Sequence, residues 1–403
     1  MDRAIAVSSS DDHRRTRVCV LTASGRSAIA VVAIAGPAAV ELVQRDFQAV
    51  NGRPLAEQSI SRIVYGHWGG ELGEDLVVCR RGQEEVEIHC HGGTQSVARI
   101  VEVVTGAGCE QVDWPEWIAQ RTACPLMAEV QVALAATTTL RTATILLEQY
   151  HGALRRELEA IRELLRAGTS DLAAERVEQL ANRAEFGRHL TRPWRVVIAG
   201  LPNVGKSSLI NALVGYQRAI VFDQPGTTRD VVSANTALDG WPVQLSDTAG
   251  LHVTGDAVEA SGMALARDQL RQADLAVWLL DATMLETGTS PVASELVEKQ
   301  AEAVAAPWNR NRTLIVVNKC DLATPPAELG GEFLTVSATT GVGVPQLIGA
   351  MAQRLVPQVP LPDAAVPFTE RQVDLLRVLL EHCQVAQVAA AENSLEQLLS
   401  GAP

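Results

Sequence analysis

Residues 200–209 read GLPNVGKSSL. The text before them, RVVIAG (195–200), is an apolar run with strand character, and SLINALVG after them has helical spacing. A strand, a glycine loop and a helix in that order place Gly200, Gly205, Lys206 and Ser207 in the spacing of a phosphate cradle. Backbone N–H groups of such a loop, from Val204 and Gly205 to Ser208, converge on an anion, and the helix N-terminus adds a favourable field. Lys206 reaches the β and γ oxygens of a nucleotide, and the Ser207 hydroxyl is a Mg²⁺ ligand. This stretch decides the architecture of the second half of the chain, a doubly wound and mostly parallel sheet.

The base is specified downstream. TLIVVNKCD ends a strand in Asn318-Lys319-x-Asp321, and Ser337-Ala338 follow the next strand. A carboxylate at Asp321 accepts hydrogen bonds from guanine N1–H and N2–H₂, which adenine lacks. Sites built on such bonds discriminate by roughly 10⁴-fold or more. The Ser337-Ala338 backbone meets the guanine O6. The expected ligands are GTP and GDP.

Two further segments belong to a nucleotide switch. Asp247-Thr248-Ala249-Gly250 follows the strand VQLSD. Asp247 holds Mg²⁺ through water, and the Gly250 N–H meets the γ-phosphate. The next residue is Leu251, in the place where small GTPases carry the glutamine that orients the attacking water, so hydrolysis needs a substitute. AIVFDQPGTTRD (219–230) supplies Thr228 as a second Mg²⁺ ligand, with Thr227 beside it. Asn203 has two readings. It bonds the loop backbone, or its carbonyl joins backbone carbonyls of 219–230 around a K⁺ that takes the place of an arginine finger, a device worth about 10³ to 10⁵ in rate.

The bulk properties set limits. The chain has 403 residues, 47% of them hydrophobic and only 4% aromatic, so two or three aliphatic cores are expected. A net charge of −13 argues against a general nucleic-acid binder, and no DNA partner is expected. Seven scattered cysteines without a Cys-x-x-Cys pair fit a reducing compartment. No apolar run reaches membrane-spanning length, and MDRAIAVSSSDDHRRTR is too polar for a signal peptide, so a cytoplasmic protein without membrane contact is expected.

The text divides into blocks. Residues 1–16 read as a tail and 17–120 as an α/β domain. Its strands are VCVLTAS, Ala28–Gly36, IVYGHW, EDLVVCR and EEVEIHCHGG, and ELVQRDFQAV reads as a helix. Residues 121–192 are helical. Leu147, Tyr150, Leu154, Leu158, Ile161 and Leu165 lie three or four apart, which predicts one long amphipathic helix, and DLAAERVEQLANRAEF predicts a second. TRPW (191–194) opens the α/β block 193–356. PQVPLPDAAVP (357–367) reads as a proline-rich linker, and 357–403 returns to helix with Thr369 and Gln372 in capping-box spacing. Helical text on both sides of the block predicts a GTPase domain inserted into a helical domain.

GLPNVGKSSLINALVG, AIVFDQPGTTRD, DTAGLHVTGDAVEASG, NKCD and SATTG together resemble the MnmE (TrmE) family of tRNA modification GTPases, within the TrmE-Era-EngA-like group. The resemblance covers about residues 17–380 and is strongest in the GTPase domain. It implies an N-terminal folate-binding α/β domain, a helical domain and the inserted GTPase domain. It implies GTP hydrolysis with Mg²⁺, activated by K⁺ as GTPase domains pair across a homodimer. Asn203 then matches the K⁺ ligand, with backbone groups at Phe222, Gln224 and Thr227, although Gln-Pro precedes Gly226 where Ile-Ala is usual. Glu259 matches the catalytic glutamate that orients water; by spacing alone it is an ordinary charge at a helix start. Lys206 is the other catalytic residue.

The same resemblance implies work on the wobble uridine of tRNA with a one-carbon tetrahydrofolate derivative and a flavoprotein partner of the MnmG type. Glu87 matches a folate-contacting glutamate. Ala33 stands where the family has an arginine, RTACPLMAEV lacks the family's lysine, and the chain ends SLEQLLSGAP where the family ends Phe-Cys-Ile-Gly-Lys. Cys383 lies in a helical pattern and reads as core. His89 and His91 share a strand face, but no third metal ligand is evident nearby. Three readings follow: a tRNA-modifying GTPase, a switch GTPase that has lost the modification chemistry, and a ribosome-assembly GTPase, for which no RNA-binding module is found.

Overall fold

The computed structural model describes residues 15–23, 25, 27–70, 73–122, 124–216, 233–248, 266–285, 293–303, 309–326, 329 and 332–400. The chain forms two compact units, Met1–Val132 with Glu396–Pro403, and Ala133–Leu395. No helix among the described residues is long and apolar enough to cross a membrane.

The first unit is built on β1 (Arg17–Val20), β2 (Ile29–Ala35), α1 (Ala39–Asp46), β3 (Phe47–Ala49), β4 (Ile63–Trp68), β5 (Glu74–Gly82), β6 (Glu85–His91), α2 (Thr94–Gly106), β7 (Glu110–Gln111) and α3 (Trp114–Arg121). The strands form one sheet in the order β3-β4-β5-β6-β2-β1-β7, antiparallel except for β1 with β7. Alternation along the strands sends Val18, Val32, Ile34, Val78, Val86 and Ile88 to one face, where they pack with Leu42 and Val43 of α1 and Ile100 and Val104 of α2. On the other face Cys19 and Ala33 pack with Val112 and Trp117. The predicted helix ELVQRDFQAV is shorter than expected. It ends at Asp46, and Phe47–Ala49 pairs with Gly66–Trp68. The reason is tertiary. Gly66 has no side chain, and a Cβ there would overlap Gln48 and the Phe47 ring, so the strand closes onto β4 with Phe47 buried.

The second unit begins within α4 (Pro125–Ala136) and continues through α5 (Leu140–Tyr150), α6 (Ala153–Arg166), α7 (Ser170–Ala181) and α8 (Ala184–Arg188). The single long helix expected over 147–165 is two. The chain breaks at Gly152, which has φ +94°. The stripe survives only beyond that break, where Leu154, Leu158, Ile161 and Leu165 are buried, while Leu147 and Tyr150 are exposed. In α5 the buried positions are Thr142, Leu146 and Gln149 instead. The second predicted helix also divides, between Ala181 and Ala184.

The α/β block follows as β8 (Trp194–Gly200), α9 (Lys206–Tyr216), β9 (Ser233–Leu238), β10 (Trp241–Asp247), β11 (Leu275–Asp281), α10 (Ala293–Ala303), β12 (Thr313–Asn318), β13 (Leu334–Thr335) and α11 (Val344–Leu355). The sheet order is β13-β12-β11-β8-β10-β9, parallel throughout except for β9 against β10. LAVWLLD and TLIVVN are nearly unbroken apolar runs because helices cover both faces. Leu209, Ile210 and Leu213 of α9 pack with Leu347 and Met351 of α11 on one side, and Ala293, Val297 and Ala301 of α10 pack on the other.

The return segment is a packed strap rather than a loose linker. Gln149 Nε2 donates to the Ala364 carbonyl at 3.0 Å, and its Oε1 accepts from the Val366 N–H at 3.1 Å. Arg183 donates to the Ala365 carbonyl at 2.9 Å. The chain then enters α12 (Glu370–Gln384) through the capping box expected from the sequence, Thr369 with Gln372, and ends in α13 (Val388–Ser400). α12 packs against α7. Helices from both sides of the α/β block thus pack together, as an insertion requires.

Candidate GTP-binding and hydrolysis site

Parallel pairing aligns the carboxyl ends of β8, β10, β11 and β12. Asp247 lies opposite Ile198, Leu279 opposite Gly200, and Asp281 opposite Asn318. Polar residues at strand ends therefore gather along one rim, where open α/β sheets bind ligands.

The loop after β8 is shaped by its glycines. Gly200 has φ +141°, and a Cβ there would lie 2.5 Å from the Leu279 carbonyl. Gly205 has φ +96°, and a Cβ there would overlap the Asn318 amide. Asn203 takes the left-handed region at φ +65°, which asparagine tolerates better than most residues. Val204 is buried beneath the loop. α9 then starts at Lys206, whose ammonium donates to the Gly200 and Leu201 carbonyls at 3.0 and 2.9 Å. Burial lowers its pKa, and the Asp247 charge opposes that shift. Ser207 Oγ donates to Asp247 Oδ2 at 2.7 Å, and Thr248 Oγ1 donates to the Ile198 carbonyl at 3.3 Å. Ser208 is exposed on the first turn of α9. A hydroxyl and a carboxylate brought together beside a lysine are a donor set of the kind that holds Mg²⁺.

The second wall is stitched to the first. Asn318 is buried; its Nδ2 donates to the Val204 carbonyl at 2.9 Å, and its Oδ1 accepts from the Ala338 N–H at 3.0 Å. Lys319 Nζ donates to the Asn203 carbonyl at 2.8 Å and to Asp281 Oδ2 at 2.7 Å. Ser337 is fully buried, and Asp321 is exposed at the mouth. The structure thus brings Gly200, Asn203, Val204, Gly205, Lys206, Ser207, Ser208, Asp247, Thr248, Asn318, Lys319, Asp321, Ser337 and Ala338 to one edge of the sheet. Phe222, Gln224, Thr227, Thr228, Ala249, Gly250, Leu251 and Glu259 lie outside the described residues. Asp281 was not foreseen. Its only signal in the sequence is an acid closing the apolar run LAVWLLD.

A family model described as 50S ribosome-binding GTPase matches residues 195–319, and one described as GTP-binding protein TrmE N-terminus matches residues 16–118. The chain is 33% identical over 381 residues to the tRNA modification GTPase MnmE of Synechococcus sp. (strain WH7803), covering 84% of this chain and 80% of that protein. It is 32% identical over 445 residues to the protein of the same name from Prochlorococcus marinus (strain MIT 9303), covering 96% and 91%. The chain belongs to the MnmE family. A Thermus thermophilus MnmE is 31% identical over 404 residues, covering 90% and 87%. The MnmE match and the GTPase model make the chain a GTP hydrolase.

The TrmE-type unit carries the other predicted residues. Glu87 is partly buried on β6, within 3.5 Å of Arg81 Nε and 3.4 Å of His89 Nε2. His91 instead faces Glu74, with Nδ1 at 2.8 Å. The two histidines share a strand face but engage different carboxylates. No group of three or more potential metal ligands occurs among the described residues. Ala33, aligned with Glu87 across β2 and β6, is 1% exposed and packs with Trp117. Cys383 is buried in α12, and burial raises its pKa, as suits a core thiol.

Proposed function

We propose that this chain is a K⁺-stimulated GTPase that acts in tRNA wobble-uridine modification in the cytoplasm, with its GTPase domains (193–356) pairing across a homodimer. The observation that supports the GTPase part of the reading is the convergence of Lys206, the Ser207–Asp247 contact of 2.7 Å and the Asn318–Lys319 wall on one loop. Lys206 neutralises the β and γ oxygens, and Asp321 and the Ser337-Ala338 backbone would read guanine. Ser207 and Thr228 would hold Mg²⁺, with Asp247 behind them, and the ion would neutralise phosphate charge. Asn203, with backbone groups at Phe222, Gln224 and Thr227, would hold K⁺, and Glu259 would orient the water that Leu251 leaves without a side-chain partner. GTP turnover is expected to be faster in KCl than in NaCl of equal ionic strength, and Asn203→Ala to abolish the difference. Equal rates in the two salts would overturn the K⁺ reading while leaving the GTPase intact.

A flavoprotein of the MnmG type and tRNA are the partners this reading assigns. A second reading, a switch GTPase without folate-dependent chemistry, has one observation in its favour: Ala33 sits in an apolar cluster where a folate anion would need a donor. Nucleoside mass analysis of tRNA from a deletion strain separates the two readings. Loss of the modified wobble uridine supports the first, and an unchanged profile supports the second.

A further inference from the structure

Asp281 lies outside every nucleotide motif, yet it is the counter-charge of one. Its side chain is only 4% exposed and takes Lys319 Nζ at 2.7 Å on Oδ2. Oδ1 accepts from the Thr283 N–H at 2.9 Å and the Thr283 hydroxyl at 2.7 Å. Burial pushes the carboxyl pKa up, but Lys319 and Thr283 outweigh burial, and the net shift is downward. The carboxylate is therefore held charged and oriented at the end of β11.

Lys319 is an unusual residue to fix. It adopts φ +66°, a conformation that costs a side-chain-bearing residue about 1–2 kcal/mol. It also begins the turn that carries Asp321, since the N–H groups of Leu322 and Ala323 donate to its carbonyl at 2.9 and 3.2 Å. Its ammonium has a second acceptor, the Asn203 carbonyl at 2.8 Å. One lysine thus links the base-reading turn, the phosphate loop and the end of β11, and Asp281 supplies the charge that holds it.

We propose that Asp281 is a positioning residue for guanine selection: through Lys319 it sets the turn that presents Asp321 to the guanine 2-amino group. The inference rests on the guanine reading given above. Loss of the carboxylate frees the lysine to swing and lets the Asp321 turn shift, so contacts unique to guanine weaken more than those to phosphate and ribose.

The test compares GDP with IDP, whose base lacks the 2-amino group, on the full chain with Mg²⁺. The unmodified chain is expected to prefer GDP. In Asp281→Asn, which keeps the volume and removes the charge, the GDP:IDP affinity ratio is expected to fall roughly tenfold, the loss of one hydrogen bond to a charged group. A purely structural role would weaken both nucleotides alike, so an unchanged ratio overturns the proposal. Thr283→Val, on an exposed residue, guards against a misfolded first variant. It removes one of the donors orienting the carboxylate and is expected to lower the ratio two- to threefold, about half the effect of losing the hydrogen bond to charge. No change there, with Asp281→Asn unfolded, also counts against the proposal. If the unmodified chain does not prefer GDP to IDP, it is the guanine reading that fails.

Discussion

At the scale of single residues, the site is held by close approaches that leave no room for a methyl group. Gly205 shows this best. Its φ of +96° is unfavourable for any other residue, and a Cβ there would run into the Asn318 amide, which itself donates to the Val204 carbonyl. Gly205→Ala is expected to distort both the phosphate loop and the wall beside the base. GDP affinity should fall by more than about tenfold, equivalent to ~1.4 kcal/mol. Titration of a fluorescent GDP analogue checks this, and unchanged affinity would mean the loop tolerates a side chain. The motif Gly-x4-Gly-Lys-Ser was readable because spacing alone encodes it. Asp281 was not, because its partner lies 38 positions away and only the parallel pairing of β11 with β12 brings the two together.

At the scale of elements, the helical text shows how far periodicity reaches. The buried stripe of α6 matched its 3.6-residue spacing. The same spacing misled in α5, because Gly152 rotates the face and a buried glutamine takes the place of an apolar residue. Gln149 is inward because the strap at 364–366 has backbone groups to satisfy, and a pattern of hydrophobicity carries no record of that. The start of α12 was legible because a capping box is local. The Thr369 hydroxyl accepts from the Gln372 N–H at 3.2 Å, and the Gln372 side chain accepts from the Thr369 N–H at 3.4 Å. Thr369→Ala is expected to destabilise the helical part by about 1 kcal/mol, measured by denaturant unfolding against the parent chain. A shift below a few tenths of that would show the glutamine half suffices.

At the scale of the whole molecule, the GTPase block and the TrmE-type unit differ in how fully they match the family pattern. In the first, the predicted site residues that are described gather on one sheet edge. In the second, Glu87 has Arg81 and His89 as neighbours, and the position expected to carry an arginine is filled by Ala33 under Trp117. A folate carries a glutamate tail, and a buried anion without a paired donor is costly. The chain is therefore expected to bind 5-formyltetrahydrofolate at least about tenfold more weakly than a family member that carries the arginine, the loss of one charged contact. Titration calorimetry on the two proteins decides it. Comparable affinities would show that other residues supply the donor and would favour the modification enzyme over the switch.

The sequence by itself determined the nucleotide class, the order of the blocks and the insertion of one within another. Each of these rests on short motifs or on periodicity, where neighbours in space are neighbours in the chain. Tertiary structure alone decided the turn of Phe47 into a strand, the gripping of the return strap by Gln149, and the Asp281–Lys319 pair. In each of these, groups distant in sequence meet, and the energy that selects the conformation comes from burying and pairing backbone or charge across that distance.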